Sequence, residues 1–98
     1  MNRDEVLRVL ATHREELLGM GVARLSLFGS VARDEAGEGS DVDILVEFAP
    51  GARIGMFEFL GVQEALSALL GAPVDLATPA SLHPRLRDAI LREAILAA

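Results

Sequence analysis

The segment DVDILVEF, Asp41 to Phe48, constrains this chain more than any other. From Val42 to Phe48 the residues alternate: Val42, Ile44, Val46 and Phe48 face one way, and Asp41, Asp43, Leu45 and Glu47 the other. That is the period of a half-buried strand. Two aspartates nevertheless stand at its mouth, one residue apart. Carboxylates at i and i+2 sit about 6 to 7 Å apart at their Cα atoms. At roughly 5 Å and an effective dielectric near 20, their repulsion is about 3 kcal/mol. Aspartate is also a poor strand former. A fold keeps such a pair if both side chains are well solvated at a strand edge, or if a divalent cation lies between them. The pair alone leaves both readings open.

Asp75 shifts the balance toward the cation. In Val74-Asp75-Leu76 the alternation sends Val74 and Leu76 to the core and Asp75 to the opposite face. If this strand pairs beside Val42–Phe48, a third carboxylate joins the same face. Three converging carboxylates suit Mg²⁺, which takes oxygen ligands, keeps several waters and binds substrate phosphates as well. The Gly29-Ser30 pair supplies a complementary half. A strand that ends in Gly-Ser and turns into a helix leaves the first backbone N–H groups unpaired, a ready anion site. Ser30 adds a hydroxyl, and Arg33, one helical turn on, reaches the same anion. Read alone, Ser30 is an ordinary N-cap and Arg33 a solvated surface residue; their combination with the aspartates carries the weight.

The rest of the chain frames these residues as one domain, residues 1–98, with no repeat and no linker. Asn2 and Glu5 resemble a capping box, and Val6, Leu10 and Leu17 with Leu7 and Leu18 recur at helical spacing, predicting a helix from about Arg3 to Leu18. Gly19 and Gly21 end it. Val22–Phe28 reads as a strand with Ala23, Leu25 and Leu27 on one side. A short helix from Val31 to about Glu35 and a glycine-rich loop, 36–39, lead to the Asp41 strand. Phe59, Val62, Leu66 and Leu69 trace a further helix closed by Gly71, and 73–77 is a short strand. A last helix opens at Thr78-Pro79 and Ser81 and carries Leu82, Leu86, Ile90 and Ala94. The expected order is α-β-α-β-α-β-α: an α/β (α+β) fold with a mixed sheet of about three strands and about four helices.

Composition narrows the chemistry. With 98 residues and an apolar fraction of 51%, the chain can bury a single core. No apolar run is long enough to span a membrane, and MNRDEVLRVL carries acids and no cleavable apolar segment, so a soluble, cytoplasmic protein is expected. The net charge of -6 argues against a protein that grips a nucleic-acid backbone. A nucleotide held with a metal ion remains compatible with it. There is no cysteine, so disulfides and thiolate metal sites are excluded. All nine basic residues are arginine, which excludes a P-loop lysine. There is no tyrosine, so any tyrosine this protein modifies belongs to another chain. His13 and His83 read as structural, and Phe28, Phe57 and Phe59 as core rather than as a platform for a base.

Gly29-Ser30, ten residues, then Asp41-Val42-Asp43 resembles the GS-x10-DxD signature of the DNA polymerase β-like nucleotidyltransferase superfamily. The string GSVARDEAGEGSDVDILVEF is similar to its smallest branch, the minimal nucleotidyltransferase (MNT) proteins. PVDLATP and LRDAILREAIL extend the likeness over nearly the whole chain. The resemblance implies the polymerase β-like fold and Mg²⁺-dependent transfer of AMP from ATP. Asp41 and Asp43 would hold the metal, with Asp75 completing the site and helping to activate the attacking hydroxyl. Gly29 and Ser30 would hold the β- and γ-phosphates, with Arg33 and Ser40 as supporting contacts. Asp34 departs from the glycine common after the arginine, and its charge beside the phosphate helix is expected to weaken nucleotide affinity. MNT proteins resemble the antitoxin half of systems whose toxin is a helical HEPN ribonuclease, so the implied acceptor is a tyrosine of a HEPN-type partner. The competing reading is an antitoxin that binds nucleotide but neutralises its partner by contact alone. A stand-alone transferase for a small molecule would need a substrate domain that this sequence does not show.

Overall fold

The computed structural model describes residues 1–35, 37 and 41–98. Ser40 and nearly all of the expected 36–39 loop lie outside the described residues. Among those described, the order is α1 (Arg3–Thr12), α2 (Arg14–Gly19), β1 (Val22–Phe28), α3 (Gly29–Ala32), β2 (Val42–Phe48), α4 (Met56–Leu70), β3 (Val74–Ala77), a 3-10 turn (Pro79–Ser81), α5 (Pro84–Glu93) and β4 (Ile95–Leu96). The strands form one mixed sheet in the order β3-β2-β1-β4. β1 runs antiparallel to both β2 and β4, whereas β2 and β3 are parallel. Parallel neighbours need a long crossover, and α4 provides it. The mixed α/β expectation holds, with one more strand and one more helix than expected.

One face of the sheet carries the main core. Val6, Leu10 and Leu17 from α1 and α2, and Val62, Leu66 and Leu70 from α4, pack against Leu25, Leu27, Val42, Ile44, Val46, Val74 and Leu76. Each such side chain contributes about 1.5–3 kcal/mol when fully buried. That sum, rather than any local signal, holds β2 and β3 side by side. At the end of α4, Gly71 takes the left-handed conformation at φ 64° and donates its N–H to Ser67 at 2.9 Å, as a helix-terminating glycine does.

Five expectations need correction. The single helix of 3–18 is broken at His13. The Thr12 hydroxyl donates to the Arg8 carbonyl at 2.8 Å, a back-bond that bends helices, and His13 then pairs with Glu16 at 3.3 Å. In β1 the register shifts between Val22 and Arg24, so Ala23 is a bulged, exposed residue and Val22 takes its place in the core. Leu45, expected on the polar face, is only 2% exposed. It sits opposite Ser26 on the second face of the sheet, in a depression shared with Leu91 and Ala94 at the end of α5 and with Leu96. Phe57 is 88% exposed rather than core, while Phe59 stacks obliquely on Phe48 with ring centres 6.5 Å apart. Finally, the expected last helix is two pieces and a strand. The 3-10 turn is closed by a reciprocal Thr78–Ser81 capping box, α5 starts at Pro84, and Ala94 turns extended. Ile95 and Leu96 then satisfy the free edge of β1, with Ala97 donating to Leu25 at 2.8 Å.

Candidate active site

The aspartates converge through strand register. Asp43 lies opposite Asp75 across the parallel β2–β3 pair and opposite Phe28 on β1. Asp41 is exposed just ahead of β2, Asp75 is exposed, and Asp43 is half-buried between them. Burial pushes the Asp43 carboxyl up, and the charges of Asp75 and Asp41 push it further, against a smaller opposing pull from Arg33. Four of the expected site residues therefore share one electrostatic field. They do not form a closed cage: among the described residues no three acidic or histidine side chains are arranged to hold a metal ion unaided.

Gly29 is required twice over. Its φ of +74° lies in the left-handed region, and a Cβ placed on it would overlap the Asp43 carboxylate. Only glycine lets β1 turn into α3 directly beside the aspartate. Phe28, not Ser30, is the N-cap of α3, and Ser30 lies inside the helix. The expected capping role of Ser30 is thus corrected. Its hydroxyl makes no hydrogen bond among the described residues, and the first-turn N–H groups of α3 have no partner within the helix.

Arg33 follows α3 and is already engaged. Its Nε donates to Glu35 at 3.0 Å and its Nη1 to Glu93 at 3.3 Å. The hydrogen bond to Glu35, joined by the charges of Glu35 and Glu93, holds the guanidinium above its ordinary value despite some desolvation. Glu35 and Glu93 were absent from the sequence expectation. Glu35 could have been suspected from its place two residues after Arg33; Glu93 is 60 positions away, and nothing local signals it. Asp34 adopts φ +60°, which explains why glycine suits that position. Its carboxylate faces the Arg3 guanidinium at 3.8 Å, so its charge is matched from α1. Ser40 falls outside the described residues. His83 caps α5, its Nδ1 accepting from the Arg85 N–H at 3.2 Å, so the structural reading of His83 holds.

Asp43 and Asp75 thus stand opposed on neighbouring strands, beside the Gly29-Ser30 turn. The family described as "Nucleotidyltransferase domain" matches residues 7–97. The chain belongs to that family. A candidate protein adenylyltransferase of Methanocaldococcus jannaschii is 43% identical over 95 residues, 97% of each chain. Protein adenylyltransferase MntA of Thermococcus cleftensis is 40% identical over 93 residues, 94% of this chain and 92% of its own. A solved structure described as a candidate minimal nucleotidyltransferase superposes with a TM-score of 0.72 at 41% identity, covering 97% of this chain and 95% of that one. Within the family, then, this chain is a minimal nucleotidyltransferase. A more distant likeness shows the fold alone: 16% identity and a TM-score of 0.58, over 90% of this chain and 71% of the other, to a complex of tri-AMPylated Shewanella oneidensis HEPN toxin with MNT antitoxin.

Proposed function

We propose that this protein transfers AMP from ATP to a tyrosine hydroxyl of a HEPN-type partner and so acts as its antitoxin. The observation that carries the reading is the register of Asp43 and Asp75 beside the Gly29-Ser30 turn. Relatives named protein adenylyltransferases support the reaction class, and the AMP-bearing HEPN toxin in the distant complex supports the partner.

The donor set fits Mg²⁺. Asp41, Asp43 and Asp75 offer hard carboxylate oxygens; burial first, then the charges of Asp75 and Asp41, raises the Asp43 carboxyl, and a cation would relieve that repulsion. Because the described carboxylates do not close a cage, phosphate oxygens and water would complete the coordination. Bound there, Mg²⁺ would lower the pKa of the attacking hydroxyl and offset charge on the phosphates. The protein's own residues do the rest. The α3 amides, with the Ser30 hydroxyl, receive the β- and γ-phosphates, and Arg33 faces them from the end of α3. Asp75, opposite Asp43, takes the hydroxyl proton in this reading. The acceptor oxygen bonds to the α-phosphorus as the bond to the bridging oxygen breaks, and pyrophosphate leaves. This chain has no tyrosine, so the acceptor comes from the partner.

The test is intact-mass spectrometry of a co-purified HEPN-type partner after incubation with this protein, ATP and Mg²⁺. The partner should gain AMP. Asp43→Asn should abolish the gain, and Asp75→Asn should slow it by about 10²- to 10⁴-fold, the range for removing a general base. Both variants should still form the complex. If the wild type neutralises its partner without added mass, and Asp43→Asn neutralises it equally, the contact-only antitoxin reading replaces this one.

A further inference from the structure

Glu93 reaches the site from the far end of the chain. It is the last residue of α5, two positions before β4, and β4 is pinned to β1 through Ser26–Leu96 and Leu27–Ile95. That pairing places its carboxylate 3.3 Å from Arg33 Nη1, while Glu35 takes Nε. One guanidinium charge therefore faces two carboxylates. Neither partner of the Glu93 bridge is locked by burial, with side chains 45% and 48% exposed, and α5 itself contributes no buried residue. The bridge is strong enough to form and open enough to exchange.

We propose that Glu93 competes with the nucleotide's phosphates for Arg33, so that the end of α5 sets the affinity of the site for a triphosphate. The inference rests on Arg33 being a phosphate contact. A guanidinium grips an anion best through two parallel N–H groups. With Nε and one Nη1 hydrogen occupied, three of the five N–H donors remain for phosphate, and the charge they carry is already shared with two carboxylates. Removing the Glu93 charge weakens its hold on Nη1 and removes a like charge from beside an incoming polyanion. An exposed ion pair of this kind corresponds to roughly a two- to five-fold change in affinity.

Calorimetric titration of Mg²⁺·ATP into the wild type, Arg33→Ala, Glu93→Gln and the double variant tests it, with circular dichroism melts confirming that each is folded. Glu93→Gln should bind about two- to five-fold more tightly, Arg33→Ala more weakly, and the double variant like Arg33→Ala. Glu93→Asp, which keeps the charge but shortens the reach, should fall between wild type and Glu93→Gln. Asp88→Asn, the same charge change elsewhere on α5, should not tighten binding. If Arg33→Ala leaves affinity unchanged, it is the reading of Arg33 as a phosphate contact that fails. If Arg33→Ala weakens binding but Glu93→Gln does not tighten it, the competition is overturned. Tightening by Glu93→Gln that persists without Arg33, or that Asp88→Asn reproduces, overturns it equally, because the effect is then only net charge.

Discussion

At the residue scale, the half-buried carboxylate of Asp43 costs the fold stability when ionised. Its carboxyl is raised by burial first and by Asp75 and Asp41 next, so the folded state holds the protonated form more tightly than the unfolded chain does. A raised carboxyl contributes stability that is complete below the usual aspartate value of 3.8 and is lost as pH rises through the folded value. At neutral pH without metal, the ionised side chain is therefore a net cost. Asp43→Asn should stabilise the metal-free protein at pH 7 by a few tenths to about 1 kcal/mol, the range of a cross-strand pair. The gain should shrink as pH falls toward 3.8. Urea melts of both proteins between pH 4 and 7 measure the difference. A variant less stable than wild type across that range would mean that Asp43 has a stabilising partner.

At the element scale, α3 is where a local rule gives way to tertiary geometry. Serine at the head of a short helix reads as a cap, yet Gly29 enters the helix itself and moves the cap back to Phe28. Ser30→Ala should consequently leave stability within about 0.5 kcal/mol of wild type, as the loss of a hydroxyl that caps nothing does, rather than incur the ~1 kcal/mol of a lost cap. It should weaken ATP more than AMP, since AMP lacks the terminal phosphates; equal losses for the two ligands would remove Ser30 from the phosphate site. Other elements divide in the same way between local and distant causes. The bounds of β1 and β2 were legible because each is a seven-residue run rich in apolar residues between turn signals, even though the bulge at Ala23 and the burial of Leu45 break their alternation. β4 was not, because two residues carry no period and Ala94, just before them, continues the helical spacing of Leu86 and Ile90. Its existence depends on the free edge of β1. The GS-x10-DxD spacing and the place of Asp75 were legible because strand alternation fixes faces. The Arg33–Glu93 bridge was not, since it is made only when β4 docks. Leu45 looked solvent-facing because a strand records its own alternation and not the α5 end that covers it.

At the scale of the whole molecule, charge sets the expectation that metal and triphosphate bind jointly rather than singly. A chain of net charge -6 repels a free triphosphate, and the described acidic residues do not enclose a cation by themselves. Neither ligand alone should bind well. Together each would satisfy the other, the metal offsetting the carboxylates and the phosphates supplying further oxygen ligands. A ligand present at ten times its dissociation constant stabilises the native state by about 1.4 kcal/mol. For a domain of this size that corresponds to an upward shift in Tm of about 6 to 11 °C. Circular dichroism melts should show that shift with Mg²⁺ and ATP together, and no more than about 2 °C with either alone. Asp43→Asn should raise the starting Tm slightly and abolish the shift, separating its gain in fold stability from its loss of ligand. Equal shifts with ATP in the presence and absence of Mg²⁺ would show that the nucleotide is held without the carboxylates, leaving the opposed aspartates of β2 and β3 with no role in binding it.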